Sequence, residues 1–478
     1  MEGENGYKTC PMENASPVSL AAWCAGTWLP AAPERGIDRL GFDSREAAPG
    51  VLFFALKGEK RDGHEFVPAV LREGGCAVVR RGAIAPSGIP AGAAVLEVDD
   101  PLDALSRIAA GWRQSMAQAK VVGVTGSAGK TSTKELCANV LSRLGPTVRT
   151  AGNFNNHIGL PMSVSRLDPD TAYGVFEAGV SHPGEMPPLR DIMMPDIAVV
   201  TGVGPAHIEF FGSERAIAEE KSQLLARLPR GGFAVLGADM AHYGVFRDRV
   251  PSGASVVTCS RTADVPADYA ALPAPGGGML VREAASGEEA LLPVPPPGGY
   301  MASNALRAVA LGRRLGASWD DIRAGLAEGV RTGMRWELMA LPGGRTAVND
   351  AYNANPLSMR ESLRAFAAHP CTGRRFLALG PMRELGDRAP AEHESLGRDA
   401  ASIADWAGVA IVAGPEPALA DALARGFRDA GLPADRLFLT DAHAPAAAWL
   451  ASRMSPGDAL LLKASRAIAM EKILPLFA

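Results

Sequence analysis

The 478-residue sequence has no closely spaced cysteines, no surplus of charge and no long apolar run. Its six cysteines, Cys10, Cys24, Cys76, Cys137, Cys259 and Cys371, are widely separated, with no CxxC pair and no histidine at zinc-site spacing. That pattern argues against a disulfide scaffold or a cysteine zinc centre and fits reduced thiols in the cytosol. The formal net charge is -4, with Lys and Arg scattered among a slight excess of acids. The basic face of a nucleic-acid binder is missing, so nucleic acid is not expected as a partner. The nearest apolar stretch, Val18 to Ala32, is interrupted by Pro30; it falls short of the ~20 residues that span a bilayer, so no membrane insertion is expected. Met1 to Glu13 contains acids and lacks a basic region followed by an apolar run. No secretory signal is read there, and the expected location is the cytoplasm. Short-period repeats and long low-complexity tracts are also lacking.

What is present is the balance of an ordinary folded protein, 47% hydrophobic and 21% charged residues. The length exceeds one compact core and allows about three domains of roughly 150 residues each. The expected division is 1–119, 120–330 and 331–478. From Gly41 to about Ala119, the apolar runs Val51-Leu56, Cys76-Val79 and Ala93-Val98 alternate with turn residues, and a helical stretch Leu102-Gln118 closes a small α/β domain. The second segment opens with an apolar strand Val121-Val124, a glycine turn and a helical pattern over Thr131-Leu144. Further strands are expected at Tyr173-Phe176, Ile197-Thr201 and Phe233-Leu236, with a helix at Ser213-Leu228, which implies a mainly parallel sheet. Pro266 to Gly299 reads as an irregular, partly β excursion, and helices at Ala302-Leu315 and Asp320-Glu328 end the segment. The third segment repeats the alternation and reads as a doubly wound, Rossmann-like domain. Its strands are expected near Thr346-Val348, Phe376-Leu379, Val409-Val412, Leu437-Leu439 and Ala459-Leu462, with helices Pro356-Ala368 and Glu416-Ala430.

A strand, glycine turn and helix in that order suit a nucleoside triphosphate. Glycines let successive backbone N–H groups approach phosphate oxygens, and the helix that follows offers its positive end. In Gly126-Ser127-Ala128-Gly129-Lys130-Thr131-Ser132, Lys130 would bring a point charge to the β/γ-phosphates and Thr131 a hydroxyl to Mg²⁺. The generic motif is not fully met, because Val124 stands at its first glycine. The plain alternative is a flexible loop with an exposed lysine. Mg²⁺ takes oxygen ligands and keeps several waters, so few acids would suffice. Glu177 follows a strand at the sheet edge where doubly wound folds bind ligands, though a surface carboxylate is the ordinary reading of such a residue. His207 follows the next strand through Gly202-Val203-Gly204, where a lone histidine is more often structural. Lys221, beside Glu219 and Glu220, would ordinarily be a solvated helix residue.

Taken together, ordered markers resemble the Mur ligases from about Asp43 to the carboxyl terminus. They are Asp43-Ser44-Arg45, Leu56-Lys57-Gly58-Glu59, Asp62-Gly63-His64, the phosphate turn, and Gly152-Asn153-Phe154-Asn155-Asn156-His157. Later come His182-Pro183-Gly184-Glu185, Asn349-Asp350-Ala351-Tyr352-Asn353-Ala354-Asn355-Pro356 and Leu462-Lys463-Ala464-Ser465-Arg466. The phosphate turn is common to Mur ligases and folylpolyglutamate synthases, whereas the Asn-Phe-Asn-Asn and Tyr-Asn-Ala-Asn-Pro runs resemble the D-alanyl-D-alanine-adding branch. The resemblance implies an ATP-dependent ligase with three domains. The first would hold the UDP-sugar peptide, the central one ATP, and the third, Rossmann-like one would complete the site. The implied substrates are UDP-N-acetylmuramoyl-tripeptide and D-alanyl-D-alanine, handled by a monomer.

By the same resemblance, Thr131, Glu177 and His207 form the Mg²⁺ set, and Lys221 takes up CO2 as a carbamate that serves a second Mg²⁺. Asn304, Arg335 and Asp350 would touch the nucleotide. Asn353 and Asn355, with Asn153, Asn155 and Asn156, would serve substrate, as would Ser44 and Arg45 for the UDP-sugar. The chain departs from the family pattern at Tyr300-Met301, Gly380-Pro381-Met382 and Lys463-Ala464-Ser465-Arg466. The rivals are a sister ligase, such as another Mur ligase or a folylpolyglutamate synthase, a phosphotransferase that stops at the phosphorylated product, and a nucleotide-binding protein without turnover.

Overall fold

The structure is a computed structural model that describes residues 9–58, 60–274, 277–297 and 299–477. Three sheets follow one another along the chain. The first has six strands in the order Thr9–Ala15, Ile37–Gly41, Val51–Phe54, Cys76–Arg80, Val95–Val98, Thr27–Leu29. Its four inner strands are parallel and its two outer ones antiparallel. Val51–Phe54 is buried at every position, as expected of a parallel strand covered on both faces, and that is why its sequence reads as a continuous apolar run. The apolar stretch near residue 18 divides into the helix Pro17–Cys24 and the edge strand Thr27–Leu29. Among the described residues no helix is long and apolar enough to cross a membrane.

Helix Pro101–Ser115 joins the first sheet to the second. Asp100 caps it by accepting from the Leu102 and Asp103 N–H groups, and Pro101 occupies its first turn. Leu105, Ile108, Ala109 and Trp112 are among its buried residues, and the helix packs both on helix Pro17–Cys24 of the first unit and on helices Gly159–Val164 and Met186–Met193 of the next. The last turn is fastened by polar groups. Trp112 Nε1 donates to Leu167 O at 2.8 Å, and the Arg113 guanidinium donates to Met193 O, Met116 O, Met194 O and Asp196 Oδ2 at 3.0 to 3.3 Å. Burial lowers the Arg113 pKa and the Asp196 carboxylate opposes that shift. Removing the guanidinium leaves three carbonyls and a carboxylate short of a donor in a part-dry interface. Arg113→Met is therefore expected to cost about 2–4 kcal/mol, measured as a shift in the denaturant midpoint. A shift of a few tenths of a kcal/mol would mean that water replaces the guanidinium.

The central sheet has nine strands, ordered Glu289–Leu292, Met279–Glu283, Tyr269–Pro273, Ser255–Ser260, Phe233–Gly237, Ile197–Val200, Lys120–Thr125, Tyr173–Glu177, Thr147–Arg149. Seven run parallel, and the first two add an antiparallel ribbon. That ribbon is the partly β excursion expected over 266–299. The helix expected over 213–228 is shorter, Glu214–Ser222, and tightens into a 3-10 turn, Gln223–Leu225, ahead of Pro229. Helices Tyr300–Arg314 and Trp319–Ala327 close the unit.

The third sheet is ordered Glu337–Leu341, Arg345–Asn349, Ala459–Lys463, Arg375–Leu379, Gly408–Val412, Leu437–Thr440 and is parallel except for its first strand. Helix Pro356–Ala368 begins with a capping box in which Asn355 and Ser358 bond reciprocally. Helices Ala389–Ile403 and His443–Ala451 complete the alternation where the sequence reading had placed none.

Candidate active site

Strand Lys120–Thr125 lies between Tyr173–Glu177 and Ile197–Val200, so the chain reverses its direction of travel across the sheet there. Ligands in open α/β sheets bind at such a switch point, beyond the carboxyl ends of the strands. The turn after the first of these strands needs its glycines. Gly126 has φ +151° and Gly129 φ +78°. A Cβ on Gly126 would fall 1.9 Å from Thr201 Oγ1, and one on Gly129 would fall 2.7 Å from Asn304 Oδ1. Val124, at the generic motif's first glycine, is instead a buried strand residue. The turn is pinned from the neighbouring strand end: Ser127 N and Oγ donate to Gly202 O and Gly204 O, and Thr201 Oγ1 donates to Ala128 O at 2.5 Å.

Lys130 is the first residue of helix Lys130–Leu141, and its Nζ donates back to Gly126 O at 3.0 Å. Burial pushes its pKa down, Glu177 opposes the shift and Arg335 adds to it. The next residue, Thr131, donates from Oγ1 to Glu177 Oε2 at 2.8 Å, and Asn155 Nδ2 donates to Glu177 Oε1 at 2.7 Å. Both Thr131 and Glu177 are buried. This hydroxyl and carboxylate pair at a helix N-terminus offers hard oxygen donors that suit Mg²⁺. Among the described residues no group of three or more His, Cys, Asp or Glu side chains is placed to hold a metal ion. Phosphate and water would add ligands to a cation here, as they commonly do for Mg²⁺.

Lys221 sits near the end of helix Glu214–Ser222 and is 1% exposed. It is not on the cleft wall. Burial holds its amine well below the ordinary lysine value, the charge of Lys130 pushes the same way, and Glu220, Glu185 and Glu177 oppose them. Two of those carboxylates are fixed by backbone donors: Glu220 accepts from Gly184 N and Met186 N, and Glu185 from Ser181 N and His182 N. The solvated-helix reading of Lys221 is therefore replaced by a buried amine with a depressed pKa.

The carboxyl ends of the third sheet face the same cleft. Lys463 Nζ donates to Asp350 Oδ2 at 2.7 Å and to Asn353 O at 3.2 Å, and Ser362 Oγ donates to the same Asp350 oxygen. The Arg335 guanidinium lies 4.1 Å from the Tyr352 ring centroid. Asn355 Nδ2 reaches Ser127 O at 3.5 Å, so the cap of helix Pro356–Ala368 touches the phosphate turn. His207 Nδ1 lies 2.6 Å from Glu384 Oε2, close but not aligned as a hydrogen bond. The His207 ring and the Arg383 charge hold Glu384 below the usual carboxylate range, against the effect of its burial.

The cleft between the two sheets measures about 910 Å³, within the size range of small-ligand sites. Its walls bring together residues 127–132, Glu177, His207, Asn304, Arg335, Asp350, Asn353 and Asn355, with Asn153, Asn155 and Asn156. Asn156 also accepts from Ile158 N and Gly159 N at the start of helix Gly159–Val164. Ser44 and Arg45 do not line the cleft; they form a turn in the first unit, where Arg45 pairs with Asp43 at 2.7 Å. Sequence reasoning gave no role to Lys463, Tyr352, Glu361, Asp239, Arg261 or Glu384. Lys463 was accessible in principle, since it ends a strand that neighbours the one ending at Asn349. Asp239 and Arg261 follow strands Phe233–Gly237 and Ser255–Ser260 of the second unit, and the others depend on how the second and third units face each other.

A glycine turn at a sheet's switch point, backed by a threonine and a glutamate and faced by a second doubly wound unit, defines a multidomain enzyme of the phosphate-loop class. The sequence matches the Mur ligase family catalytic domain over residues 36–113, the Mur ligase middle domain over 124–312 and the Mur ligase glutamate ligase domain over 334–466. The UDP-N-acetylmuramoyl-tripeptide--D-alanyl-D-alanine ligase of Synechocystis sp. is 35% identical over 445 residues, covering 91% of this chain and 90% of that protein. A crystal structure of MurF from Acinetobacter baumannii superimposes with a TM-score of 0.84 at 29% identity, covering 98% and 99% of the two chains. MurF from Thermotoga maritima, in complex with ADP, does so with a TM-score of 0.75 at 29% identity over 92% and 96%. The chain belongs to the Mur ligase family and is an ATP-dependent ligase that forms amide bonds.

Proposed function

We propose that the chain joins D-alanyl-D-alanine to the terminal carboxylate of UDP-N-acetylmuramoyl-tripeptide, giving the pentapeptide precursor of peptidoglycan in the cytoplasm. The observation that carries this reading is the likeness along nearly the whole chain, first unit included, to UDP-N-acetylmuramoyl-tripeptide--D-alanyl-D-alanine ligases. Residues 1–119 would hold the UDP-sugar, with Ser44 and Arg45 among the contacts, 120–330 would hold ATP, and 331–478 would complete the site.

A carboxylate is a poor electrophile, so its oxygen must first become a leaving group. The tripeptide carboxylate attacks the γ-phosphorus of ATP, the bond to the β-phosphate oxygen breaks, and ADP leaves an acyl phosphate. The neutral amine of D-alanyl-D-alanine then adds to the acyl carbon. The tetrahedral species expels phosphate and loses the amine proton. In this reading the backbone N–H groups of Ala128–Lys130 cradle the phosphates, and Lys130 neutralises charge that develops on the transferred group. Thr131 and Glu177 would hold Mg²⁺ with His207 at the edge of the set, and the ion would supply positive charge that offsets the charge of the phosphates. Lys221, whose burial disfavours the charged amine, would be the residue to take up CO2 with loss of a proton, and the resulting carbamate would supply a carboxylate for a second Mg²⁺. Asn304, Arg335 and Asp350 contact the nucleotide, and Asn353 and Asn355 the dipeptide, with Asn153, Asn155 and Asn156 nearby. Two sheets whose carboxyl ends face each other supply the orientation such a reaction needs.

Phosphate release from ATP with UDP-N-acetylmuramoyl-tripeptide is expected to depend on D-alanyl-D-alanine and to match pentapeptide formation one to one. Release that ignores the dipeptide would favour a phosphotransferase, and no release with either substrate would overturn the assignment.

A further inference from the structure

A carboxylate from the third unit reaches His207 at the phosphate edge of the second. Glu384 Oε2 lies 2.6 Å from His207 Nδ1, and that nitrogen is buried while the rest of the residue lines the cleft. Both residues have left-handed backbones, with φ +58° at His207 and φ +64° at Glu384. Non-glycine residues adopt that conformation at a cost, and it persists where the surroundings over-determine it. The surroundings of Glu384 do so. Met382 N donates to His393 Nε2 at 2.8 Å and Arg383 N to Ser465 Oγ at 2.9 Å, so buried side chains tie down the preceding two residues. His393 is in turn bonded through Nδ1 to Ala389 O at 2.6 Å. From the other side, Glu209 N donates to Glu384 O at 3.4 Å, so the two loops also meet through their backbones.

Although the contact lacks hydrogen-bond alignment, a carboxylate 2.6 Å from Nδ1 attracts a proton to that nitrogen by charge, which favours the tautomer that leaves Nε2 open and biases the ring's orientation. We propose that Glu384 is a positioning residue which reaches His207 from the C-terminal domain, sets its tautomer and orientation, and completes the divalent-cation edge of the phosphate site only when the two domains are closed. The inference rests on the reading of His207 as part of that edge. It couples closure to metal binding by a direct contact: opening the domains removes the orienting carboxylate and leaves the imidazole free to turn.

The test is a Mn²⁺ titration followed by electron paramagnetic resonance, in the presence of a non-hydrolysable ATP analogue and UDP-N-acetylmuramoyl-tripeptide. Two variants are compared with the native enzyme. Glu384→Gln keeps the side chain's shape, and Glu384→Gly removes it while suiting the left-handed backbone, so a folding defect does not explain a loss in both. Each is expected to weaken Mn²⁺ binding about tenfold or more, to leave metal-free nucleotide binding unchanged, and to add nothing further in a His207→Ala background. Native-like Mn²⁺ affinity in either variant would overturn the positioning role. If His207→Ala also binds Mn²⁺ as the native enzyme does, the placement of His207 at the metal edge has failed as well; if it alone is weakened, only the role of Glu384 has.

Discussion

Lys221→Met is expected to lower amide synthesis by about 10²–10³-fold or more while leaving the melting temperature unchanged or raised. The side chain is almost wholly removed from solvent, and burial holds its amine well below the ordinary lysine value. The sign of the stability effect follows. The unfolded chain protonates this lysine below about pH 10.4, whereas the folded chain disfavours the charged form, so the unfolded state binds more protons. The lysine's contribution to stability is therefore unfavourable at neutral pH and becomes less so as pH rises towards the unfolded value. Methionine fills a similar volume with no charge to desolvate, which removes that cost. Loss of function without loss of stability is the mark of a residue kept for chemistry. If Lys221→Met retained native turnover, measured as pentapeptide formed, Lys221 would be a packing residue. Added bicarbonate should restore little, because the variant has no amine to carry the carboxylate.

Lys130→Met should reduce kcat/KM by about 10³-fold, with a much smaller effect on ADP binding. In the structure, the Lys130 ammonium bends back to Gly126 O across the turn that a phosphate would occupy, and it lies in the field of Glu177. Its charge matters most for the γ-phosphoryl group as that group parts from ADP, so the interaction strengthens in the transition state and the loss should fall mainly on kcat. Steady-state phosphate release paired with calorimetric ADP binding separates the two. A variant within tenfold of native kcat/KM, or one whose whole defect lies in ADP affinity, would show that Lys130 only holds the ground-state nucleotide.

Parallel strands were the most legible part of the sequence because burial on both faces makes them continuous apolar runs. Lys120–Thr125, Tyr173–Glu177, Ile197–Val200 and Phe233–Gly237 all fall where those runs stand. Amphipathic and alanine-rich helices were harder to find. His443–Ala451 is alanine-rich and weakly patterned, and Ala389–Ile403 carries charges throughout. The phosphate turn was legible from its neighbours, since the strand before it and the helix after it both announce themselves. Glu177 and His207 were legible only as residues following strands, and Lys221 on its own looked like an ordinary surface lysine. Its burial comes from packing between helix Glu214–Ser222 and the loop around Glu185, a long-range fact with no local signature. Glu384 is the clearest case. Its part in the site depends on two sheets whose carboxyl ends face each other, and no spacing in the chain encodes that approach.

The polar fastening at Trp112 and Arg113 bears on how such an enzyme could be assembled from separable pieces. By order along the chain, helix Pro101–Ser115 closes the first unit, yet its last turn fills a socket in the second and saturates carbonyls at Leu167, Met193 and Met194. A fragment that began at Lys120 would lose this plug. The same helix packs on helix Pro17–Cys24 of the first unit, so exchange of that unit, by recombination between relatives or by deliberate grafting, has to preserve a helix that both units share.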